Sequence, residues 1–551
     1  MLTKANGPPT IGRPGDPARL ERLGPTMEHV SSPRVLNRED VVLHDGLLSQ
    51  VTESVTPADA QRADLLFLGE VLDAAGIPFL LVHSDDGSPT IAVDHDDRKR
   101  LRTALAEACQ NEPFYAKPAR VTSDDRPKRS DARRPAVLLA DGTFAAGTKT
   151  RAFTLFRPRV EPQGRLAFGA ASGVRLEFWE SDGEHIVAPN SNALMREVLP
   201  LTEAVRSSVE LHGRSWPTIE GMFTELAGDI GFDIDIVFSW VDGAELEWQR
   251  ARAKRMESYV IGEGDGSEAR YRQLDELKYA LRSVHLYAPW IRNIFIATDS
   301  PRPSWLADHP RVRVVRSEEF FSNLGDLPTH NSHAVESQLH HIDGLSEHFI
   351  YSNDDMFFGR PVGPSMFFSP GGVSKFVEAR IRIGLGDNNP QRSGFENAAR
   401  VNRALLRQRF GKVITRHLEH APAPLRRSVM RELELEFPQD FARTSANAFR
   451  QATDVSVTNS LYHYYALFTG RAVTQTDARV KYVDTTSLAG LRKLGSLLKK
   501  RSFDFFCLND GSFPEVSAED RAAAVRSFLD DYFPIPAPWE VPVNVPVKEA
   551  L

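Results

Sequence analysis

Residues 345 to 360, LSEHFIYSNDDMFFGR, constrain this chain more than any other stretch. A short apolar strand, His348 to Tyr351, runs into Asn353-Asp354-Asp355, and Met356-Phe357-Phe358 follows at once. Two adjacent carboxylates at the mouth of a buried strand lose hydration, and each raises the other's cost of ionising. A cation removes both costs, and a divalent metal bound to a diphosphate is the usual reason for such a pair. A plain turn that opens with Asn-Asp accounts for the same letters, so the weight falls on what other stretches add.

The chain has 551 residues, 41% of them hydrophobic and 26% charged. That is ordinary globular composition, with length for two or three domains. A net charge of −7 gives non-specific nucleic-acid binding nothing to draw on, and no nucleic-acid partner is expected. Two cysteines, Cys109 and Cys507, fit neither a metal-ligand spacing nor a disulfide framework, which suits a reducing cytosol. The first residues hold no apolar core of signal-peptide length. No apolar run is long enough to span a bilayer. A cytoplasmic location is expected, with any membrane role peripheral at the inner face.

Residues 1–60, rich in Pro, Gly, Asp and Arg, read as a poorly ordered or extended arm with a short strand at Val41-Val42-Leu43. Residues 61–225 read as an accessory α+β region. Its first helix carries Leu65, Leu68, Val71 and Leu72 at helical spacing and is capped by Gly76. Strands IPFLLVH and TIAVD and the helix DRKRLRTALAEACQ follow, then a polar linker at 120–135 and several hairpin strands. Asp85-Asp86-Gly87 is better explained as a solvated turn than as a metal site.

At residue 233 the pattern changes. DIDIVFSWVDG is a strand ending in Trp240, Asp242 and Gly243, and a polar helix is expected from Ala244 to about Val260. QLDELKYALRSVHLY places Leu274, Leu277, Leu281 and Val284 on one helical stripe, flanked by Arg272 and Glu276. IRNIFIATDS, HPRVRVVR and HFIYSNDD are further strands, the first closing on Asp299. This order predicts a β/α layout with a largely parallel sheet, and ligands of such sheets sit outside the carboxyl ends of the strands. Asp242, Asp299 and Asp354-Asp355 all fall at such ends.

Thr329, Asn331 and Ser332 are candidate caps of a helix near His333, and helix N-termini attract phosphate. His333, Glu336 and His340 share a helical face but lack the His-Glu-x-x-His order of a zinc site, and His340 and His341 read as surface or packing residues. Residues 370 to 402 suit a long loop. His417 and His420 precede a Pro-containing turn, and a helix is expected through Val429, Leu433 and Leu435. The aromatic stretch 456–469 reads as core helix. The basic segment RKLGSLLKKRSFDFF is either a solvated helix face or a contact for a polyanionic acceptor, and it leads to Asn509-Asp510-Gly511.

Four blocks carry a likeness to known proteins: IDIVFSWVDG, the stretch from RYRQLDELKYALRSVHLY to HFIYSNDDMFFG, the stretch from RHLEHAPAPLRRSVM to FRQATD, and CLNDG. With these in order the chain resembles the Stealth proteins. That family includes bacterial capsule and exopolysaccharide phosphotransferases and the α/β-subunit precursor of the lysosomal-enzyme N-acetylglucosamine-1-phosphotransferase. The likeness runs from residue 232 to about 535 and leaves out the first 220 residues. It implies an α/β fold: a catalytic domain at 226–535 with a mostly parallel, Rossmann-like sheet core of the nucleotide-sugar transferase type and inserted helices. The smaller α+β region precedes it and a tail follows at 536–551.

The resemblance implies transfer of a sugar-1-phosphate from a nucleotide-diphosphate sugar, a UDP-linked hexose or N-acetylhexosamine, to a glycan hydroxyl in capsule or exopolysaccharide synthesis. A phosphodiester forms and nucleoside monophosphate leaves. By position Asp242, Asp354, Asp355, His420, Arg450, Asp454, Asn509 and Asp510 match family residues. Ser239 stands where relatives have Thr, and the APAP turn departs from relatives, which bears on His417 against His420.

These matches and the bare residues imply the same roles. Mg²⁺ or Mn²⁺ would sit on Asp354 and Asp355 with Asp510. Arg450 and Arg272 suit phosphoryl oxygens. His420 is the expected base, Asp355 the fallback, and Asp242 a further catalytic group. Trp240, Asp242, Gly243, Arg272, Asp299, Asn331 and Asn353 would line the donor site. The expected partners are the nucleotide-sugar donor, an oligo- or polysaccharide acceptor, and a membrane polysaccharide-assembly complex met peripherally. The rival readings are a metal-dependent glycosyltransferase that releases nucleoside diphosphate, and a non-catalytic glycan- or nucleotide-binding protein.

Overall fold

Strand β1 (Ile234–Ser239) is buried from Ile234 to Phe238 and takes a parallel neighbour on each side. One is β2 (Ile294–Ala297), which pairs in parallel with β3 (Val312–Val315); the other is β4 (His348–Asn353). Ser239 stands opposite Ala297 on one side and Asn353 on the other, so three strands finish level. Their Ile, Val and Phe runs are the composition that burial on both faces requires. Helix α1 (Glu276–Tyr287) buries Leu277, Leu281 and Val284 along one stripe. Helix α2 (Ser332–Gln338) starts at its cap Asn331, whose side chain accepts from the His333 N–H at 3.1 Å. These are the elements the hydrophobic spacing predicts.

The computed structural model describes residues 33–85, 87–119, 121, 135–147, 149–243, 274–511 and 514–542. The polar helix expected from Ala244, Arg272, and most of the expected linker lie outside the described residues.

The expectation of a mostly parallel, Rossmann-like core is corrected by the strand pairings. The parallel run stops at β4, against which β6 (Ala423–Arg426) lies antiparallel at the sheet edge. A second, mixed sheet sets β8 (Phe505–Asn509) between β5 (Met356–Phe358), antiparallel, and β7 (Val480–Asp484), parallel. With the hairpins of the first 227 residues included, most described pairings are antiparallel. The physical reason is that apolar runs report burial but not direction. A strand returning to an edge after the long excursion from residue 359 to 422 can enter from either end.

The chain forms two units, the first ending at Ala227 and the second starting at Gly228. The first packs helices Pro57–Ala74 and Arg98–Ala108 with a sheet that includes Phe79–His83, Pro89–Asp94, Ala152–Phe156 and Val174–Ser181. Gly76, at φ +59°, takes the left-handed position just past the first helix, as a C-terminal stop needs. Within this unit buried Asp64 is bonded by Arg159 at 2.7 Å and Arg157 at 2.9 Å.

In the second unit α3 (Gly394–Phe410), α4 (Arg427–Glu436), α5 (Leu488–Lys500) and α6 (Ala518–Tyr532) complete the frame. Ser517 caps α6 by accepting from the Asp520 N–H at 3.1 Å. Three details differ from the sequence reading. Residues 370 to 402, read as a long loop, carry strands Ser374–Phe376 and Glu378–Arg382 and the start of α3. Leu435 is 81% exposed rather than core. The aromatic stretch opens with a π-helical turn, Val457–Leu461, before its α-helix, Tyr462–Phe468. Among the described residues no helix is long and apolar enough to cross a membrane.

Candidate active site

Asp354 and Asp355 form the turn where the chain leaves the five-stranded sheet and enters the three-stranded one. The second sheet places Met356 opposite Cys507 and brings the Leu508 N–H to the Asp355 carbonyl at 3.0 Å. Asp355 Oδ2 then accepts from Asn509 Nδ2 and from Cys507 Sγ, both at 3.3 Å. Asp355 Oδ1 is buried and has no hydrogen-bond partner among the described residues. Burial, then the charges of the neighbouring aspartates, push the Cys507 thiol well above its ordinary range, so it acts here as a donor.

Asn509 Oδ1 accepts from the Tyr482 hydroxyl at 2.9 Å. The Tyr482 ring meets His420 edge-on, centroids 5.1 Å apart. Phe395, on α3, lies 6.2 Å from His420 and stacks on His417 at 4.6 Å. His420, Tyr482, Asn509 and Asp355 therefore form one continuous chain of contacts, drawn from four separate stretches of sequence.

Carboxyl groups crowd this turn. Burial first, then the charges of Asp355 and Glu276, push the Asp354 carboxyl well above the usual carboxylate range. Burial lifts Glu276, at the start of α1, to about 7, against a hydrogen bond from the Leu274 N–H and the charge of Arg521. Asp510 is ion-paired with Arg521 of α6 and accepts from the Thr485 hydroxyl at 3.0 Å. Arg521 also donates to Thr485 Oγ1 at 2.8 Å.

The other expected residues that are described have contacts of their own. Trp240, Asp242 and Gly243 follow β1 directly; the Trp240 N–H reaches the Ala297 carbonyl at 3.2 Å and the Asp242 N–H donates to Ser300 Oγ at 2.8 Å. Asp299 follows β2, is exposed, and accepts from the Ser317 N–H at 2.8 Å. Asn353 Oδ1 lies 2.8 Å from the Tyr351 hydroxyl, which is also 3.2 Å from Glu336 Oε1. Arg450 donates to Ser332 Oγ at 2.7 Å, and its charge acts on Tyr351. Asn331 is buried, its amide donating to Asp454 Oδ2 at 2.8 Å while its carbonyl caps α2. His333 lies 3.8 Å from the same Asp454.

A second cluster could hold a metal ion. His340, His341 and Glu434 offer ligand atoms within 4.8 Å of one another. His340 is buried, which lowers its pKa despite the Glu434 hydrogen bond. Glu434, opposed by its own burial, is drawn down to about 2 by hydrogen bonds from both imidazoles. The sequence reading took these two histidines as surface or packing residues, because Glu434 is remote in the chain.

Sequence reasoning also missed Tyr482 and Cys507 as partners of the acidic pair and noted Glu276 only as a flank. Glu276 carried a signal, since an acid beside an apolar stripe at a helix start sits near buried surface. Tyr482 carried none, because its role depends on the pairing of β7 with β8.

Comparison with known proteins bears on this arrangement. Residues 232–260, 270–376, 419–467 and 495–548 match conserved regions 1, 2, 3 and 4 of the Stealth proteins. Tyr482 lies between the last two. The exopolysaccharide phosphotransferase CpsY of Mycobacterium tuberculosis is 57% identical over 500 residues, which cover 91% of this chain and 92% of that protein. An exopolysaccharide phosphotransferase of Nocardia farcinica is 53% identical, covering 92% of each. One from Streptomyces coelicolor is 37% identical, covering 90% of this chain and 86% of its own length. Among solved structures, the galactosyltransferase LgtC in complex with donor and acceptor sugar analogues aligns with 56% of this chain and 97% of its own. It does so at 11% identity and a TM-score of 0.30, too weak a likeness to bear on activity. The chain belongs to the Stealth family, as an exopolysaccharide phosphotransferase.

Proposed function

We propose that this phosphotransferase takes a sugar-1-phosphate from a nucleotide-diphosphate sugar, UDP-linked by preference, and joins it to a hydroxyl of an oligo- or polysaccharide. The observation that supports this most is the convergence of Asp354, Asp355 and His420 through Asn509 and Tyr482 at the carboxyl end of the sheet. The acceptor oxygen attacks the β-phosphorus. The bond from that phosphorus to the bridging oxygen breaks, and nucleoside monophosphate leaves with its electrons. The acceptor proton passes to an imidazole nitrogen of His420. A base within reach of that proton makes a weak nucleophile competent.

The carboxyl cluster fits a divalent cation. Asp355 Oδ1 is buried without a partner among the described residues, and the Asp354 carboxyl is held high by burial and like charge, both of which a cation relieves. Asp354 and Asp355 would hold Mg²⁺ or Mn²⁺, with Asp510, itself paired with Arg521, as the third carboxylate. The ion would supply charge neutralisation for the diphosphate. The Asn509 amide and the Cys507 thiol fix Oδ2 and so aim Oδ1. Arg450 would meet phosphoryl oxygens in this reading, since a planar guanidinium is suited to two oxygens at once. Trp240, Asp242 and Gly243, on the neighbouring strand end, line the donor site in this reading, and Arg272 would add a second guanidinium. The first unit contributes no catalytic group in this reading.

The test is the nucleotide released from a UDP-sugar with a glycan acceptor. Monophosphate supports the reading. Diphosphate points to glycosyl transfer, and neither product points to binding alone.

A further inference from the structure

The pair of adjacent histidines after α2 has no part in this chemistry, yet it is built with care. His340 and His341 both direct Nε2 at the same oxygen of Glu434, at 2.9 Å and 3.1 Å. Their rings lie 4.0 Å apart. The three groups come from two elements nearly a hundred residues apart in the chain, the turn after α2 and the last part of α4. One carboxylate oxygen is left to serve two imidazoles, and His340 Nδ1 is buried with no partner among the described residues.

We infer that His340, His341 and Glu434 form a zinc-class metal site that clips the turn after α2 to α4, apart from the catalytic centre. Two imidazole nitrogens and one carboxylate oxygen are the donor set of zinc and its neighbours, not of magnesium. The place is structural. Arg427, first residue of α4, donates to the His340 carbonyl at 3.1 Å and to the Leu345 carbonyl at 2.7 Å. Arg426, just before it, pairs with His348 at the amino end of β4. The cluster thus stands by the amino end of the strand whose carboxyl end leads to Asp354. Side-chain exposures of 30% for His341 and 27% for Glu434 leave a path for the ion. The Ser322 hydroxyl, 3.2 Å from His341 Nε2, lines that open side and can hold a metal-bound water in the fourth position.

The test titrates the chelator-stripped full chain with Co²⁺, read by visible absorption, then with Zn²⁺, read by melting temperature. One equivalent of Co²⁺ should give the absorption of a low-coordinate nitrogen-ligated site, Zn²⁺ should displace it and raise the melting temperature, and Mg²⁺ should leave the cobalt absorption unchanged. Asp355→Asn should keep the signal, which separates this site from the catalytic one. His341→Ala and Glu434→Gln should each weaken binding by more than about tenfold, the scale already reached by losing an outer partner. His341 is partly exposed and Glu434→Gln keeps its shape, so both report on a folded chain. No cobalt spectrum in the wild type, or an unchanged one in both variants, overturns the assignment.

Discussion

The Tyr482 hydroxyl donates to Asn509 Oδ1 at 2.9 Å, and that bond orients the amide whose nitrogen holds Asp355 Oδ2. Removing only the hydroxyl leaves the ring against His420 and frees the amide to turn. Tyr482→Phe should lower kcat by roughly 10- to 100-fold, the range for a lost partner of a metal-binding carboxylate. The melting temperature should change little, because Tyr482 is 40% exposed. A Tyr482→Phe enzyme with wild-type kcat would show that Asn509 needs no such support.

His420→Ala should still bind nucleotide sugar and metal but lose roughly 10²-fold or more in turnover, the scale of a missing acid–base group. Melting and donor binding, measured on the same preparation, separate this from lost packing against Phe395 and Tyr482. A variant that melts earlier yet keeps its rate when folded moves the base to Asp355.

Chelation should abolish turnover, and Mg²⁺ or Mn²⁺ should restore it. Asp355→Asn keeps the shape of the side chain but withdraws the charge behind the unpartnered Oδ1. It should require far more metal for half-maximal rate. Full activity of wild type in excess chelator contradicts the metal assignment.

How far this site was legible depends on whether its parts are neighbours in sequence. Asp354-Asp355 stood out because two carboxylates adjoin an apolar strand, and the stripe of α1 and the cap of α6 are equally local. His420 came from likeness to a family, not from its surroundings. Tyr482 and Cys507 were out of reach, since each acts only where β8 lies between β5 and β7. Strand direction was invisible for the same reason, and the expected parallel core gave way to mixed sheets at β6 and β8.

Stability should depend on Glu432 of α4, which accepts from Tyr465 at 2.5 Å and from Arg471 at 2.8 Å. The Arg471 hydrogen bonds outweigh burial and hold its carboxyl at about 2, below the ordinary 4.5. A depressed carboxyl stabilises the fold fully above its unfolded value and loses that contribution as pH falls through the folded one. Denaturant titrations of wild type and Glu432→Gln should therefore differ at neutral pH and converge between 4.5 and about 2. Glu432 is partly solvated, so the difference should be modest. A gap that stays constant across that range means Glu432 acts by shape alone.

In the proposed reaction phosphorus, not carbon, is the atom attacked. A UDP-sugar labelled at the β-phosphorus, turned over with a glycan acceptor, reports this directly. The label should appear in the glycan, as a phosphodiester, with unlabelled nucleoside monophosphate released. Label recovered in released UDP, with none in the glycan, would contradict the account.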